Sequence, residues 1–188
     1  MKKAIFLDRD GTINEDVGYI CSPDKFHFID RSVDALRMLQ QSYELFIVTN
    51  QSGVARGYFS ENDLKSFNEY IENVLREKGI DIKQTYYCPH LKEDKCLCYK
   101  PKSYFLRKAE KDFDIDLENS YVIGDHAHDI EMAKDVNAFS IYVLTGHGVK
   151  HRKELIVQPD CISNNLYEAS QWIIYKQINP KDNEDETR

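Results

Sequence analysis

The sequence predicts an α/β fold, a Rossmann-like three-layer sandwich with a central parallel sheet. Three observations predict it. Short unbroken apolar runs such as Ala4-Ile5-Phe6-Leu7 and Leu45-Phe46-Ile47-Val48 suit strands buried on both faces. Segments with the period of an amphipathic helix lie between these runs, and strands alternating with helices imply parallel pairing. Several runs also end abruptly in polar residues, at the edge where open α/β sheets collect their ligands.

The elements follow in order. The first strand, Ala4 to Leu7, leaves the sheet at Gly11 and sets Asp8 and Asp10 at its carboxyl end. Glu15 to Phe28 has no period and reads as a loop, with Asp16-Val17-Gly18-Tyr19 able to line the mouth of a site. A helix follows Ser32, read as its cap, with Val33, Leu36 and Leu39 on one face. The second strand, Leu45 to Val48, ends in Thr49-Asn50-Gln51-Ser52-Gly53. Ser60-Glu61-Asn62-Asp63 resembles a capping box, opening a helix with the core stripe Leu64, Phe67, Ile71, Val74 and Leu75 and a stop at Gly79. A short strand near Thr85-Tyr86-Tyr87 leads into a cysteine-rich loop. A helix over 103–113, a strand at Tyr121-Val122-Ile123 ending in Gly124-Asp125, and a helix around 130–136 come next. A strand near 141–144 and a helix near 166–174 close one domain, residues 1–175. The polar residues 176–188 read as a disordered tail.

At 188 residues the chain can bury a substantial core. A net charge of −7 argues against a nucleic-acid partner, yet allows an anionic substrate where a metal reverses the local sign. No stretch approaches a membrane span or a secretory leader. The expectation is a cytoplasmic monomer with no nucleic-acid or membrane partner.

Asp8 and Asp10, one residue apart, repel each other unless a cation or shared proton relieves them, and Mg²⁺ takes such oxygen ligands. The string Asp8-Arg9-Asp10-Gly11-Thr12-Ile13-Asn14 resembles the first motif of the haloacid dehalogenase superfamily of phosphohydrolases. Thr49-Asn50, Lys100, and Gly124-Asp125 with Asp129 follow in that superfamily's order, up to about Gly146. The resemblance implies a Mg²⁺-dependent phosphatase. Asp8 would form an aspartyl-phosphate, Asp10 would act as acid and base, and Thr49 would bond the phosphoryl group. Lys100 would neutralise charge. Mg²⁺ would bind Asp8, Asp125 and the Asp10 carbonyl, with Asp129 orienting from behind. Only short insertions separate the motifs, so no large cap domain is expected and the site should be open to solvent.

Cys88-Pro89-His90 and Cys96-Leu97-Cys98 supply three sulfurs and one imidazole within eleven residues, a set that suits structural Zn²⁺. Such a zinc-binding loop, 88–98, would pin the segment carrying Lys100. Reduced thiols beside a loop histidine are the alternative, and Cys21 and Cys161 read as ordinary thiols. With Thr49 to Phe59, this cluster resembles D-glycero-D-manno-heptose 1,7-bisphosphate phosphatases and the related histidinol-phosphate phosphatases. Heptose enzymes carry an arginine where this chain has Tyr99, and often a lysine where it has His126. The resemblance implies substrate contacts from Asp16, Gly18, Tyr19, Asn50, Gln51, Ser52, Arg56, Tyr99 and His126. The expected substrate is a small sugar phosphate, foremost the heptose 1,7-bisphosphate. Histidinol phosphate is the alternative, and a non-catalytic metal-stapled binding protein a more distant one. Lys150-His151-Arg152-Lys153 reads as a solvated helix start, with a second-phosphate contact as the alternative.

Overall fold

The apolar run Ala4–Leu7 forms β1, a central strand whose four side chains are all buried. Successive side chains of a strand point to opposite faces. Ile5 and Leu7 therefore join one core cluster and Ala4 and Phe6 another. The structure is a computed structural model that describes residues 1–179. After β1 come α1 (Ser32–Leu39), β2 (Glu44–Asn50), α2 (Glu61–Glu77), β3 (Ile82–Cys88), α3 (Tyr104–Phe113) and β4 (Tyr121–Gly124). α4 (Ala127–Lys134), β5 (Phe139–Val143), α5 (Gly148–His151), β6 (Cys161–Ser163) and α6 (Leu166–Ile178) complete the order.

The six strands lie in the order β3-β2-β1-β4-β5-β6, and every pairing is parallel. The chain builds outward from β1 to β3, then returns to place β4 on the other side of β1. That reversal opens a crevice at the carboxyl ends of β1 and β4, the usual ligand position in such sheets. One face of the sheet packs on α1, α2 and α6 through Leu36, Phe67, Ile71 and Ile173. The other packs on α3 and α4 through Leu106, Ala109, Met132 and Ala133. The segments 8–31 and 89–103 contain no helix beyond short 3-10 turns, and among the described residues nothing of domain size covers the crevice.

Local signals differ in how they fare. Ser60 and Asp63 make the reciprocal capping box at the start of α2, at 3.1 and 2.8 Å. Ser32, however, does not cap α1. Arg31 occupies the N-cap with φ +58° and lays its guanidinium over the Tyr167 ring, so Ser32 enters the first turn with its hydroxyl buried and unpartnered. α4 begins at Ala127, ahead of its apolar residues, because the N-terminal turn is set by Asp129 rather than by hydrophobic period. α6 continues through Ile178, three residues into the stretch read as tail. Its last turn exposes Tyr175 and Ile178 beside Lys176 and Gln177, so no buried apolar stripe separates it in sequence from an unpatterned segment. Residues 180–188 of that tail lie outside the described residues.

The edge strand β6 escaped the sequence because three residues carry too little pattern to register. A carboxylate anchors it. Asp160 accepts hydrogen bonds from the Ser140 backbone N–H at 2.7 Å, the Ser140 hydroxyl at 2.8 Å and the Lys134 ammonium at 2.7 Å. Partial burial works against the charged form, but Lys134 and Ser140 outweigh it and hold the carboxyl below its ordinary value of 3.8. A depressed carboxyl pKa contributes stability above the unfolded value, and that contribution is lost as pH falls through the folded one. Asp160→Asn is therefore expected to cost about 1–2 kcal/mol at pH 7. Urea titrations of both proteins should show the difference shrinking as pH drops below about 4, and a gap that persists at pH 2 would contradict this account.

Candidate active site

Burial of charge defines the floor of the crevice. Asp8 leaves β1 with 8% of its surface exposed, while Asp125 and Asp129 show none and Lys100 only 4%. The Lys100 ammonium donates to Asp8 Oδ1 at 2.8 Å, Asp129 Oδ1 at 2.7 Å and the Val48 carbonyl at 3.0 Å. Removing one partner from such a buried pair costs about 3–5 kcal/mol, because it strands the other charge. Burial opposes protonation of Lys100, yet Asp129 and Asp8 outweigh it and raise its pKa, so the lysine is cationic. For Asp8 burial dominates and raises the carboxyl, with Lys100 pulling it back.

Asp10 is held differently. Arg9, 1% exposed, turns back to grip it at 3.2 and 2.8 Å, and reaches Asn68 Oδ1 at 3.0 Å. Asn14 and Gln51 donate to the same carboxylate at 2.9 and 2.7 Å. These donors fix its two oxygens at the mouth of the floor. Thr49 Oγ1 accepts from Gln51 at 2.9 Å, and Asn50 Oδ1 receives the Lys100 backbone N–H at 3.1 Å.

Glycines admit this crowding. Gly11 turns with φ +82°, and a Cβ there would lie 2.3 Å from Asp125 Oδ2. At Gly124 a Cβ would meet Asp129 Oδ2 at 2.1 Å.

Asp8, Asp125 and Asp129 form a tight group with His126. Three buried carboxylates face one lysine and the His126 imidazole, so the floor keeps negative charge in excess. Such oxygen donors fit Mg²⁺, which takes carboxylates and keeps several waters. His126 is a poor ligand for so hard an ion, and its Nδ1 is already engaged by Asp125 Oδ1 at 2.8 Å. Burial opposes its protonation, but Asp125, backed by Asp8 and Asp129, pushes its pKa up to about 9.

Above the floor opens a cavity of about 470 Å³. Of the residues expected to touch substrate, Asp16, Gly18, Tyr19, Asn50, Gln51, Tyr99 and His126 line it. Ser52 and Arg56 do not; Arg56 is exposed, its guanidinium 5.7 Å from the Tyr19 ring centroid. Sequence reasoning missed Arg9, His128 and His147, and took His151 only as part of the basic run Lys150-His151-Arg152-Lys153. Arg9 sits inside the first motif, but an arginine beside two aspartates reads as solvated. His147 follows β5 in Thr145-Gly146-His147, a polar strand end like the others, and could have been found by that rule.

The cysteine loop is ordered beside this site. Cys88 and Cys98 sulfurs are 3.2 Å apart, Cys88 and Cys96 3.5 Å, and Cys96 and Cys98 3.6 Å. His90 Nδ1 lies 3.6 Å from Cys88 and 3.4 Å from Cys98. Sulfurs placed about 2.3 Å from a tetrahedral zinc would be roughly 3.8 Å apart. The four donors thus converge on one point, slightly contracted. Burial, together with Cys98, pushes the Cys88 thiol up, a load that a cation would relieve. Lys100 follows Cys98 by two residues.

Comparison with known proteins decides the family. A family model described as HAD-hydrolase-like matches residues 97–169. The D-glycero-beta-D-manno-heptose-1,7-bisphosphate 7-phosphatase of Pasteurella multocida (strain Pm70) is 42% identical over 165 residues, spanning 84% of this chain and 83% of that protein. The chain belongs to the haloacid dehalogenase-like phosphatases. The enzyme of the same name from Escherichia coli (strain K12) is 38% identical over 183 residues, spanning 93% and 95%. The crystal structure of D,D-heptose 1,7-bisphosphate phosphatase from B. bronchiseptica, complexed with magnesium and phosphate, superposes with a TM-score of 0.85. It is 28% identical and covers 93% of this chain and 99% of that one. This haloacid dehalogenase-like phosphatase is therefore a phosphoric monoester hydrolase, and its floor can be tested without knowing its substrate. Gly124→Ala introduces no backbone strain but must displace Asp129, and with it Lys100. Misplacement of about 1 Å can cost roughly 10²-fold in rate. A folded Gly124→Ala protein should lose about that much kcat/KM on p-nitrophenyl phosphate, and wild-type turnover would show that Asp129 does not position the lysine.

Proposed function

We propose that this chain removes the 7-phosphate from D-glycero-D-manno-heptose 1,7-bisphosphate through an aspartyl-phosphate on Asp8. The observation that carries the reading is the buried Lys100 bridging Asp8 and Asp129, in a chain about 40% identical to named heptose bisphosphatases. Phosphoryl transfer is mostly positioning and charge neutralisation. An Asp8 carboxylate oxygen attacks phosphorus, and the P–O bond to the sugar breaks. Lys100, anchored on Asp8 Oδ1, meets charge developing on the transferred group. Asp10, oriented by Arg9, Asn14 and Gln51, gives its proton to the departing oxygen, then takes one from the water that opens the acyl phosphate. Thr49 and the backbone beyond it hold the phosphoryl oxygens. Asp8, Asp125 and the Asp10 carbonyl would hold Mg²⁺, which supplies a positive charge for the phosphoryl oxygens.

The Cys88, His90, Cys96 and Cys98 set would hold a structural Zn²⁺, since four protein donors leave no open position. Five free cysteines suit a reducing compartment, the cytoplasm. Among the described residues no helix is long and apolar enough to cross a membrane. We read the chain as a monomer with no nucleic-acid or membrane partner.

Phosphorus NMR of the heptose 1,7-bisphosphate reaction should show the C7 signal lost and the C1 signal kept, with kcat/KM well above that for histidinol phosphate. Asp8→Asn should abolish turnover in a folded protein. Preference for histidinol phosphate would overturn the substrate assignment, and turnover by Asp8→Asn the mechanism.

Metal binding by a small loop is coupled to its folding. Cys96→Ser should therefore lower bound zinc, read by elemental analysis, together with the melting temperature. Wild-type protein purified without zinc would instead support reduced thiols.

A further inference from the structure

Four of the chain's six histidines line the catalytic cavity: His126, His128, His147 and His151. Apart from Lys100 they are its only basic lining side chains among the described residues. Lys100 is already committed to Asp8, Asp129 and the Val48 carbonyl. A second anionic group on a substrate would therefore find uncommitted basic side chains only among the imidazoles, beside the neutral donors of Tyr19, Tyr99, Asn50 and Gln51. Three of the imidazole rings form one wall. His126 and His147 have centroids 5.5 Å apart, His126 and His151 5.1 Å, and His147 and His151 5.0 Å.

The wall is fixed to the floor and to the mouth. His126 Nδ1 bonds Asp125 Oδ1 at 2.8 Å, and the His147 backbone N–H bonds Asp125 Oδ2 at 2.8 Å. His147 Nε2 lies 3.0 Å from Asp16 Oδ2, tying the wall to the loop that carries Tyr19. These contacts leave Nε2 of His126 and Nδ1 of His147 uncommitted. His151 Nδ1 is buried with no hydrogen-bond partner, and Glu154 Oε2 stands off at 3.9 Å. A buried ring nitrogen without a partner is costly, and in native structures it commonly marks a missing water or ion.

We propose that His147 and His151, beside His126, form the specificity wall that receives the second, non-transferred anionic group of a bisphosphorylated substrate. The proposal rests on the phosphatase reading above, adds His147, which neither the motifs nor the comparisons assign, and singles out His151 from the basic run that reads in sequence as a solvated helix start. It also gives His151 a role distinct from its neighbours in the basic run: Lys150, Arg152 and Lys153 are exposed, while His151 turns into the cavity.

The test uses p-nitrophenyl phosphate as reporter substrate, with Mg²⁺ in excess. Butane-1,4-diyl bisphosphate and butyl phosphate serve as competitive inhibitors, differing only in the second anionic group. The wild type should bind the bisphosphate more tightly by roughly tenfold or more, the value of one charge-assisted hydrogen bond. His147→Ala and His151→Ala should bring the ratio of the two inhibition constants close to one. With heptose 1,7-bisphosphate as substrate, the loss should appear in KM rather than kcat. His147→Gln and His151→Gln, which keep a neutral donor, should recover part of the ratio, and Lys153→Ala should leave it at the wild-type value. All variants are checked for native circular dichroism. An equal affinity for both inhibitors in the wild type overturns the proposal, as does a ratio unmoved by every histidine variant. A ratio lowered as much by Lys153→Ala would assign the effect to general charge and also overturn it. Failure of the heptose assignment would look different: no turnover of that sugar, with the histidine-dependent inhibitor ratio intact.

Discussion

The contact on which the rest depends is the buried ammonium of Lys100 between Asp8 and Asp129. Removing charges from water is expensive, and a buried ion pair persists only where its geometry and remaining hydrogen bonds are good. Here the pair is over-determined. β1 delivers Asp8, the first turn of α4 delivers Asp129, and the Val48 carbonyl at the end of β2 takes a third ammonium proton. Glycines at 11 and 124 let the carboxylates approach where any side chain would collide. The arrangement still leaves negative charge in excess, which makes the floor receptive to a divalent cation and, through it, to a phosphate.

The floor constrains its surroundings unequally. Lys100 comes from no strand or helix, so the loop carrying it needs fixing by other means. Asn50 bonds its backbone, and the cysteine–histidine cluster begins at the end of β3 and closes two residues before it. Hydrophobic burial does little to fix this loop, because Cys96, Cys98 and His90 lie largely outside the core. The walls come from the loop after β1 and from the turns after β4 and β5, outside the sheet. The same chemistry at the floor can thus serve different substrates through changed walls. In this chain one wall is tyrosine and the other histidine.

Acid–base control follows the same separation. Asp8 lies in the buried floor against a fixed cation, whereas Asp10 stands at its edge among neutral amides and the Arg9 guanidinium. Two carboxylates one residue apart therefore occupy different electrostatic environments. In the proposed reaction that difference separates the nucleophile from the proton-transfer group.

The sequence by itself determined the parallel sheet, the chain order of the floor residues and the cysteine–histidine cluster. Apolar runs ending in Asp, Thr or Gly-Asp report burial and ligand edge together, because a strand buried on both faces carries few polar residues until it nears its carboxyl end. Ser60 and Asp63 were legible for a similar reason, since a capping box is closed within four residues. What only the tertiary structure decided depends on contacts between distant segments. Arg9 reads as a surface arginine until Asn68, 59 residues away, receives it. Ser32 reads as a cap until α6 brings Tyr167 to hold Arg31 instead. β6 is too short for a pattern and exists because Asp160 is tied to β5 and α4. The histidine wall joins the turn before α4 to the turn after β5, and no local pattern reports that those rings meet, because the sheet's strand order alone brings β4 and β5 side by side.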